Sequence, residues 1–351
     1  MNVLSLFDGI GCGLLALNKC GVKIDCYFAS EIEPNAIKVA TTNNPNIIEI
    51  GDISKIHYKN GVLYTPNNEY CVGNIDLVCG GSPCTNFSSI GYAKGMLCGD
   101  IEILSLEQYL ELKSNNVVFY GQSYLFWEYC RLLKEINPRY FLLENVVMSK
   151  KWEKIISCAI GVEPIKINSS LVSAQNRPRL YWTNIRGIEQ PKDKNINLDD
   201  ILCEDACNRD VSYCLTVQRS FDRLMEKYGY IPERFNAYNA SEIKNKACAL
   251  SRGSMITSSC ATLLFTLTKD GVHTVKNGFL NEKYPIALKD GEYNIRKLNI
   301  TEIERLQNLH DGYTNISGIS DQKRTVMIGN AWTVNVIRHI FSYMEELHNG
   351  N

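Results

Sequence analysis

The sequence predicts an open, mostly parallel α/β sheet interrupted by a small inserted domain of different character. Three observations carry that expectation. Short apolar runs alternate with segments of helical spacing through the first half of the chain. Those runs end in glycine or a carboxylate, at residues 8–9, 31, 51–52, 80–81 and 144. The rhythm stops between residues 211 and 291 and returns afterwards, so one α/β body is split by a guest. The expected boundaries are 1–200 for the first part of the α/β domain, 205–290 for the guest and 292–351 for the returning part.

Composition sets the outer limits. Of 351 residues, 45% are hydrophobic and 21% charged, the balance of an ordinary globular protein. The formal net charge of −1 argues against a generally basic coat for nucleic acid. The 14 cysteines form no C-x-x-C pair and the 5 histidines no cluster, so reduced thiols are expected, without a disulfide scaffold or metal site. No secretory leader and no membrane-spanning stretch are read, and a cytoplasmic protein is expected.

In chain order, residues 3–7 form an apolar strand that runs into Asp8-Gly9-Ile10-Gly11-Cys12-Gly13. Glycines there permit a tight turn and close approach to a ligand, with a helix over 14–19. A second strand, 26–29, closes at Ser30-Glu31, where a ribose diol is commonly held. Pro34 then opens a helix over 35–41. A third strand, 47–50, meets Gly51-Asp52-Ile53. Two carboxylates on consecutive strand ends, beside a glycine turn, favour a cofactor that contains a nucleoside.

The fourth strand, 75–79, stops at Gly80-Gly81, and the loop beyond presents Pro83-Cys84. Pro83 stiffens the chain just before the thiol. Residues 88–97 read as a mobile loop, and 98–122 as an insertion holding a short helix. A helix over 124–136 is broken at Asn137-Pro138. The fifth strand, 140–143, ends in Glu144-Asn145-Val146, on the same sheet edge as Cys84. A helix spans 151–160 and strands span 163–168 and 180–184. Between these strands Arg177 and Arg179 flank Pro178 and are suited to a phosphate or a polar base edge.

Residues 187–208 are polar and read as a linker. From Arg209 to Lys289 there are 12 Lys/Arg against 7 Asp/Glu. Arg219, Arg223, Lys227, Arg234, Lys244, Lys246, Arg252, Lys269 and Lys276 are interleaved with Tyr228, Tyr230, Phe235 and Tyr238, as in a small basic recognition domain. Short strands are expected at 263–268 and 272–275. Thr301 and Glu304 suggest a capping box opening a helix over 302–309, Ser320 caps a helix over 321–328, and a terminal helix spans 333–346.

Eight blocks stand in one order: 7–13, 30–31, 51–53, 80–84, 144–146, 175–179, 301–307 and 329–336. Together they resemble the DNA (cytosine-5) methyltransferases, with details similar to the animal de novo type and to bacterial and phage relatives. The resemblance implies a Rossmann-like, S-adenosylmethionine-dependent methyltransferase fold with an inserted mixed target recognition domain. It implies that Phe7, Asp8, Gly9, Gly11, Glu31, Ile32, Asp52, Ile53, Asn330 and Trp332 bind S-adenosyl-L-methionine. It also implies Cys84 as nucleophile, with Glu144 and Arg179 around the base, and Arg177 beside them in the catalytic set as a structural residue or one turned toward phosphate. S-adenosyl-L-homocysteine would be the product, and no metal is needed. Double-stranded DNA is the implied partner of a monomer, with a restriction endonuclease of the same site as a possible companion. The insertion at 98–122 has no counterpart in the family pattern.

The chemistry requires the same residue types. Cytosine C5 is too weak a nucleophile to take a methyl group unaided, and a thiolate adding at C6 makes it enamine-like. Glu144 suits N3 and the exocyclic amine, and Arg179 suits O2. A cytosine-5 methyltransferase of the same fold acting on tRNA, and a non-catalytic DNA-binding homologue, are the alternatives. The loop Ser82-Pro83-Cys84-Thr85, with no following arginine, favours DNA.

Overall fold

The computed structural model describes residues 1–83, 97–98, 101–204, 210–212, 215–250 and 262–345. The chain begins β1 (Asn2–Leu6), α1 (Cys12–Cys20), β2 (Cys26–Ser30), α2 (Pro34–Asn43) and β3 (Ile47–Glu49). A short meander, β4 (His57–Lys59), β5 (Val62–Tyr64) and β6 (Glu69–Cys71), precedes β7 (Leu77–Gly80). Next come β8 (Leu97–Cys98), β9 (Ile101–Glu102) and α3 (Leu106–Ser114). Then come α4 (Leu125–Ile136), β10 (Tyr140–Val146), α5 (Lys150–Ile160), β11 (Ile165–Asn168), β12 (Gln175–Asn176) and β13 (Pro178–Thr183). After α6 (Leu215–Tyr228) follow β14 (Arg234–Asn236), β15 (Ser241–Glu242), β16 (Ala247–Cys248), β17 (Thr262–Leu267) and β18 (His273–Lys276). The last elements are β19 (Phe279–Leu280), β20 (Tyr284–Pro285), β21 (Gly291–Lys297), α7 (Ile300–Leu306), α8 (Asp321–Asn330) and α9 (Val334–Phe341).

These elements form two compact units. The first comprises Met1–Asn168, Pro178–Pro191 and Val334–Asn351; the second comprises Ser169–Arg177 and Lys192–Thr333. The division differs from the expected 205–290 boundaries, because α7, α8 and the strand β12 belong with the second unit.

The first unit is built on a seven-stranded sheet in the order β11-β13-β10-β7-β1-β2-β3. The five strands from β10 to β3 are parallel, and β13 runs antiparallel to both its neighbours. Leu4, Phe28 and Val78 lie side by side in register and, with Leu6, Leu143 and Trp182, face a core that includes Phe126, Trp127 and Leu132 of α4 and Ile156 of α5. Burying each such side chain contributes roughly 1.5–3 kcal/mol before the entropy cost of ordering it. Helix α4 stops where expected, at Asn137, whose left-handed φ of 45° closes the last turn. On the far side of the chain's first strand, α1 packs on α9. The chain leaves β1 for β2 and β3, then returns to β7 on the other side of β1. That reversal opens a crevice at the strands' carboxyl ends, where open α/β sheets bind ligands.

The second unit holds an antiparallel seven-stranded sheet, β15-β14-β17-β21-β18-β19-β20, and the pair β12-β16. Val217, Phe221 and Leu224 of α6 pack on Phe235, Leu263, Phe265 and Ile295. Helix α6 is absent from the expectations. Arg219, Arg223 and Lys227 are the exposed stripe of that helix, spaced four apart. The capping box also lies two residues earlier than expected. Asn299 accepts the Glu302 N–H and Glu302 accepts the Asn299 N–H, both at 2.8 Å. Glu304 is instead buried as an acceptor for Gly312 and Thr314. The terminal helix ends at Phe341, short of the expected 346.

Candidate active site

The turn after β1 carries the first group of candidate residues. Phe7, Gly9 and Gly11 take left-handed φ values of 57°, 62° and 82°. Gly11 is the N-cap of α1, and a Cβ at Gly9 would meet nothing within 4 Å, so its side of the turn stays open. Glu31 pins this turn to the end of β2. One carboxylate oxygen accepts the Gly9 N–H at 2.9 Å, and the other accepts those of Ile32 at 2.7 Å and Glu33 at 2.9 Å. Ile32 itself is 66% exposed beside it.

Two further carboxyls lie near Glu31. Asp8 Oδ1 accepts the hydroxyls of Ser5 and Tyr27, each at 2.6 Å, while its Oδ2 is buried with no hydrogen-bond partner among the described residues. Burial pushes the Asp8 pKa up to about 6, against the two hydroxyl donors and with a smaller push from Glu31. Glu49 closes β3 in register with Ala29, and among the described residues neither of its oxygens has a hydrogen-bond partner. Burial first, then the charges of Asp8 and Glu31, raise its pKa to about 8. Sequence reading missed Glu49, which was hidden inside an apolar run. Beyond it, Asp52 accepts the Ser54 N–H at 2.9 Å and its hydroxyl at 2.8 Å, capping the short 3₁₀ turn Ile53–Lys55. Ile53 is buried beneath that turn.

A second group gathers at the ends of β7 and β10. Asn145 is buried, and its amide donates to the Ser82 hydroxyl at 3.1 Å and the Ser82 carbonyl at 3.3 Å. It thereby clamps the root of the segment that leads to Cys84; Cys84 itself lies outside the described residues. No role was read for Asn145 in the sequence. Its neighbour Glu144 points to the opposite face of the sheet. Because β13 is antiparallel, Val146 pairs with Arg179, which places Arg179 diagonally across from Glu144. Arg179 Nε lies 3.0 Å from Glu144 Oε1, with about one-seventh of each side chain exposed. Its Nη1 donates to the Pro178 carbonyl at 2.9 Å.

The sequence model of the C-5 cytosine-specific DNA methylase family matches residues 1–104 and 114–346. The chain belongs to this family. The chain is 30% identical over 202 residues to orphan methyltransferase M.Rho11sI of Bacillus phage rho11s, covering 53% of this chain and 33% of that protein. It is also 30% identical over 199 residues to orphan methyltransferase M.SPRI of Bacillus phage SPR, covering 53% and 38%. The match thus spans well under half the length of these relatives. In fold, the chain resembles the S. pombe Dnmt2 methyltransferase, with a TM-score of 0.58, 15% identity and 99% of both chains covered. It resembles the Entamoeba histolytica methyltransferase EhMeth with a TM-score of 0.61 at 13% identity, over 99% of this chain and 98% of that one.

S-adenosylmethionine is the cofactor of this methyltransferase fold, and the first group of residues fits it. The open side of Gly9, the orphaned Asp8 Oδ2 and the Glu31 carboxylate suit a cationic nucleoside with a free diol. Among the described residues, no group of three or more His, Cys, Asp or Glu is placed to hold a metal ion. Likewise, none of the described helices is long and apolar enough to cross a membrane.

The remaining candidates lie in the second unit. Asn330 ends α8 and Trp332 follows it. Arg177, read as structural or turned toward phosphate, takes the structural place of the two. It is 4% exposed and donates to the carbonyls of Leu250 at 2.7 Å, Gly329 at 3.1 Å and Ala331 at 3.3 Å. A guanidinium so used ties main chain together and is not turned toward a phosphate or a base. Two members of the expected basic face are also spent internally. Lys246 donates to the carbonyls of Ser170, Ser173 and Ile196. Arg234 pairs with Asp199 and Glu233. Arg252 lies outside the described residues.

Proposed function

We propose that this methylase transfers a methyl group from S-adenosylmethionine to C5 of a cytosine in nucleic acid, with Cys84 as the covalent nucleophile. The observation that carries this reading is the Glu144–Arg179 pair, on the same sheet edge as the clamped root of the Cys84 segment. The Cys84 thiolate adds to C6, forming a C–S bond and moving the ring's electron pair to C5. Glu144 accepts from the exocyclic amine and supplies a proton to N3, and Arg179 donates to O2, so the charge developing on the ring is offset at both positions. When bound, the cofactor supplies the methyl cation equivalent that C5 takes up. Loss of the C5 proton then expels the Cys84 thiolate and restores the aromatic ring. Within a duplex, C6 is inaccessible, so the base leaves the stack before attack.

Double-stranded DNA is the substrate we infer first. The family's description and the loop Ser82-Pro83-Cys84-Thr85, with no arginine after it, support that inference. A cytosine in tRNA is the second reading, because the same fold and the same thiolate chemistry serve either nucleic acid. One experiment tests both the nucleophile and the substrate. Duplex DNA and tRNA carrying 5-fluorocytosine are incubated with the protein, with and without S-adenosylmethionine. An adduct that survives denaturation is expected on DNA, only with cofactor, mapping to Cys84 and absent in Cys84→Ser. An adduct on tRNA alone would transfer the reading to RNA. An adduct on any other cysteine would overturn the mechanism.

A further inference from the structure

Helix α3 occupies a place the family does not fill: residues 105–113 fall between the two stretches matched to it. Yet α3 is bonded into the interior. Glu128 of α4 is fully buried, and a buried carboxylate is costly unless its oxygens are satisfied. Two of its partners come from α3, the Tyr109 hydroxyl and the Lys113 ammonium. The third is Arg131 Nε at 2.7 Å. Arg131 in turn donates through Nη2 to the carbonyls of Ile56 at 2.8 Å and Ile53 at 3.3 Å. Its Nη1 is held by Glu135 at 2.6 Å and lies 3.3 Å from His57 Nδ1. Lys113 also reaches the Ser54 carbonyl at 3.4 Å. The carbonyls of residues 53–56 therefore receive α3 twice, directly through Lys113 and indirectly through Glu128 and Arg131. Aromatic packing reinforces the link. Phe119 lies 5.0 Å from Tyr109 and 5.1 Å from Tyr124 between ring centres, and Tyr124 is close enough to Asp52 to feel its charge.

We propose that α3 is a buttress for the Asp52–Ile53 turn, and that Lys113, Tyr109 and Glu128 are positioning residues that set cofactor affinity through Arg131. The proposal deepens the cofactor reading above and rests on it. Lys113→Met should weaken S-adenosylmethionine binding by calorimetry roughly three- to thirtyfold, the range of indirect coupling through a packed network. Tyr109→Phe, which removes only the hydroxyl, should act in the same direction with less risk to folding. Lys113→Arg should restore affinity, and duplex DNA binding by gel shift should be unchanged in all three. A core control, Ile156→Ala in α5, should lower the melting temperature without touching cofactor affinity. Wild-type cofactor affinity in both Lys113→Met and Tyr109→Phe would overturn the proposal, as would equal weakening in Ile156→Ala. Glu31→Ala run alongside separates the two layers. Weakening there but in neither Lys113→Met nor Tyr109→Phe discards the buttress alone, whereas no weakening in any of the three discards the cofactor site as well.

Discussion

Glu49→Gln should make the protein more stable, and by an amount that depends on pH. The glutamine keeps the shape of the side chain and removes the titration. In the native protein the Glu49 carboxyl holds its proton up to about pH 8, against an ordinary value of 4.5. Below about pH 4.5 both native and unfolded chains are protonated, and the group contributes nothing to the difference. Between about pH 4.5 and 8 the unfolded chain has released the proton and the native chain still binds it, so stability falls as pH rises. At pH 7 the gap is about 2.5 units, or about 3 kcal/mol at 1.36 kcal/mol per unit, and partial exposure discounts this to about 2 kcal/mol. Urea unfolding of wild type and variant across this window should give curves that coincide in acid and separate by that amount near neutrality. A constant offset, or no offset, would refute the claim that Glu49 is a buried carboxyl crowded by Asp8 and Glu31.

Three other substitutions test other parts of the structure. Glu31→Ala removes the acceptor of three main-chain N–H groups, so it should weaken S-adenosylmethionine binding by roughly 1–3 kcal/mol in calorimetry and lower the melting temperature as the Gly9 turn loosens. Arg177→Met strands three carbonyls and should cost about 3 kcal/mol in urea unfolding. Gly80→Ala would place a Cβ 2.6 Å from the Leu6 carbonyl oxygen, forcing β7 from β1. It should cost about 1–3 kcal/mol by the same assay and slow methyl transfer by moving the segment before Cys84.

Much of the first unit was legible because local signals and the fold agree there. Every parallel strand was an apolar run closed by glycine or a carboxylate, and Pro34 and Asn137 marked helix ends that the structure keeps. Glu31 was legible for the same reason, standing at a strand end beside a glycine turn. Charged residues with distant partners were not. Arg177 finds its acceptors 73 and 152 or more positions away, and Lys246 finds its own 50 to 76 away, so no window of sequence distinguishes them from surface charge. Helix α6 was missed because its basic stripe drew attention from the apolar positions Val217, Phe221 and Leu224 behind it. Asn145 stands inside the block 144–146, but its clamp on Ser82 depends on β7 and β10 being neighbours.

The pairing of α1 with α9 bears on how the molecule is made. Helix α1 is complete at Cys20, but the helix that covers it ends at Phe341. At about 5–20 residues per second, a ribosome takes roughly 20–60 s to cover that interval. All seven strands of the sheet emerge long before the helix that shields Leu14 and Leu17. The nascent chain therefore carries a finished sheet with a bare apolar flank, and its final collapse waits for Val334, Ile337 and Ile340. Crowded synthesis should make chaperone dependence greatest in that interval, and chains released before residue 334 should aggregate although every strand is present.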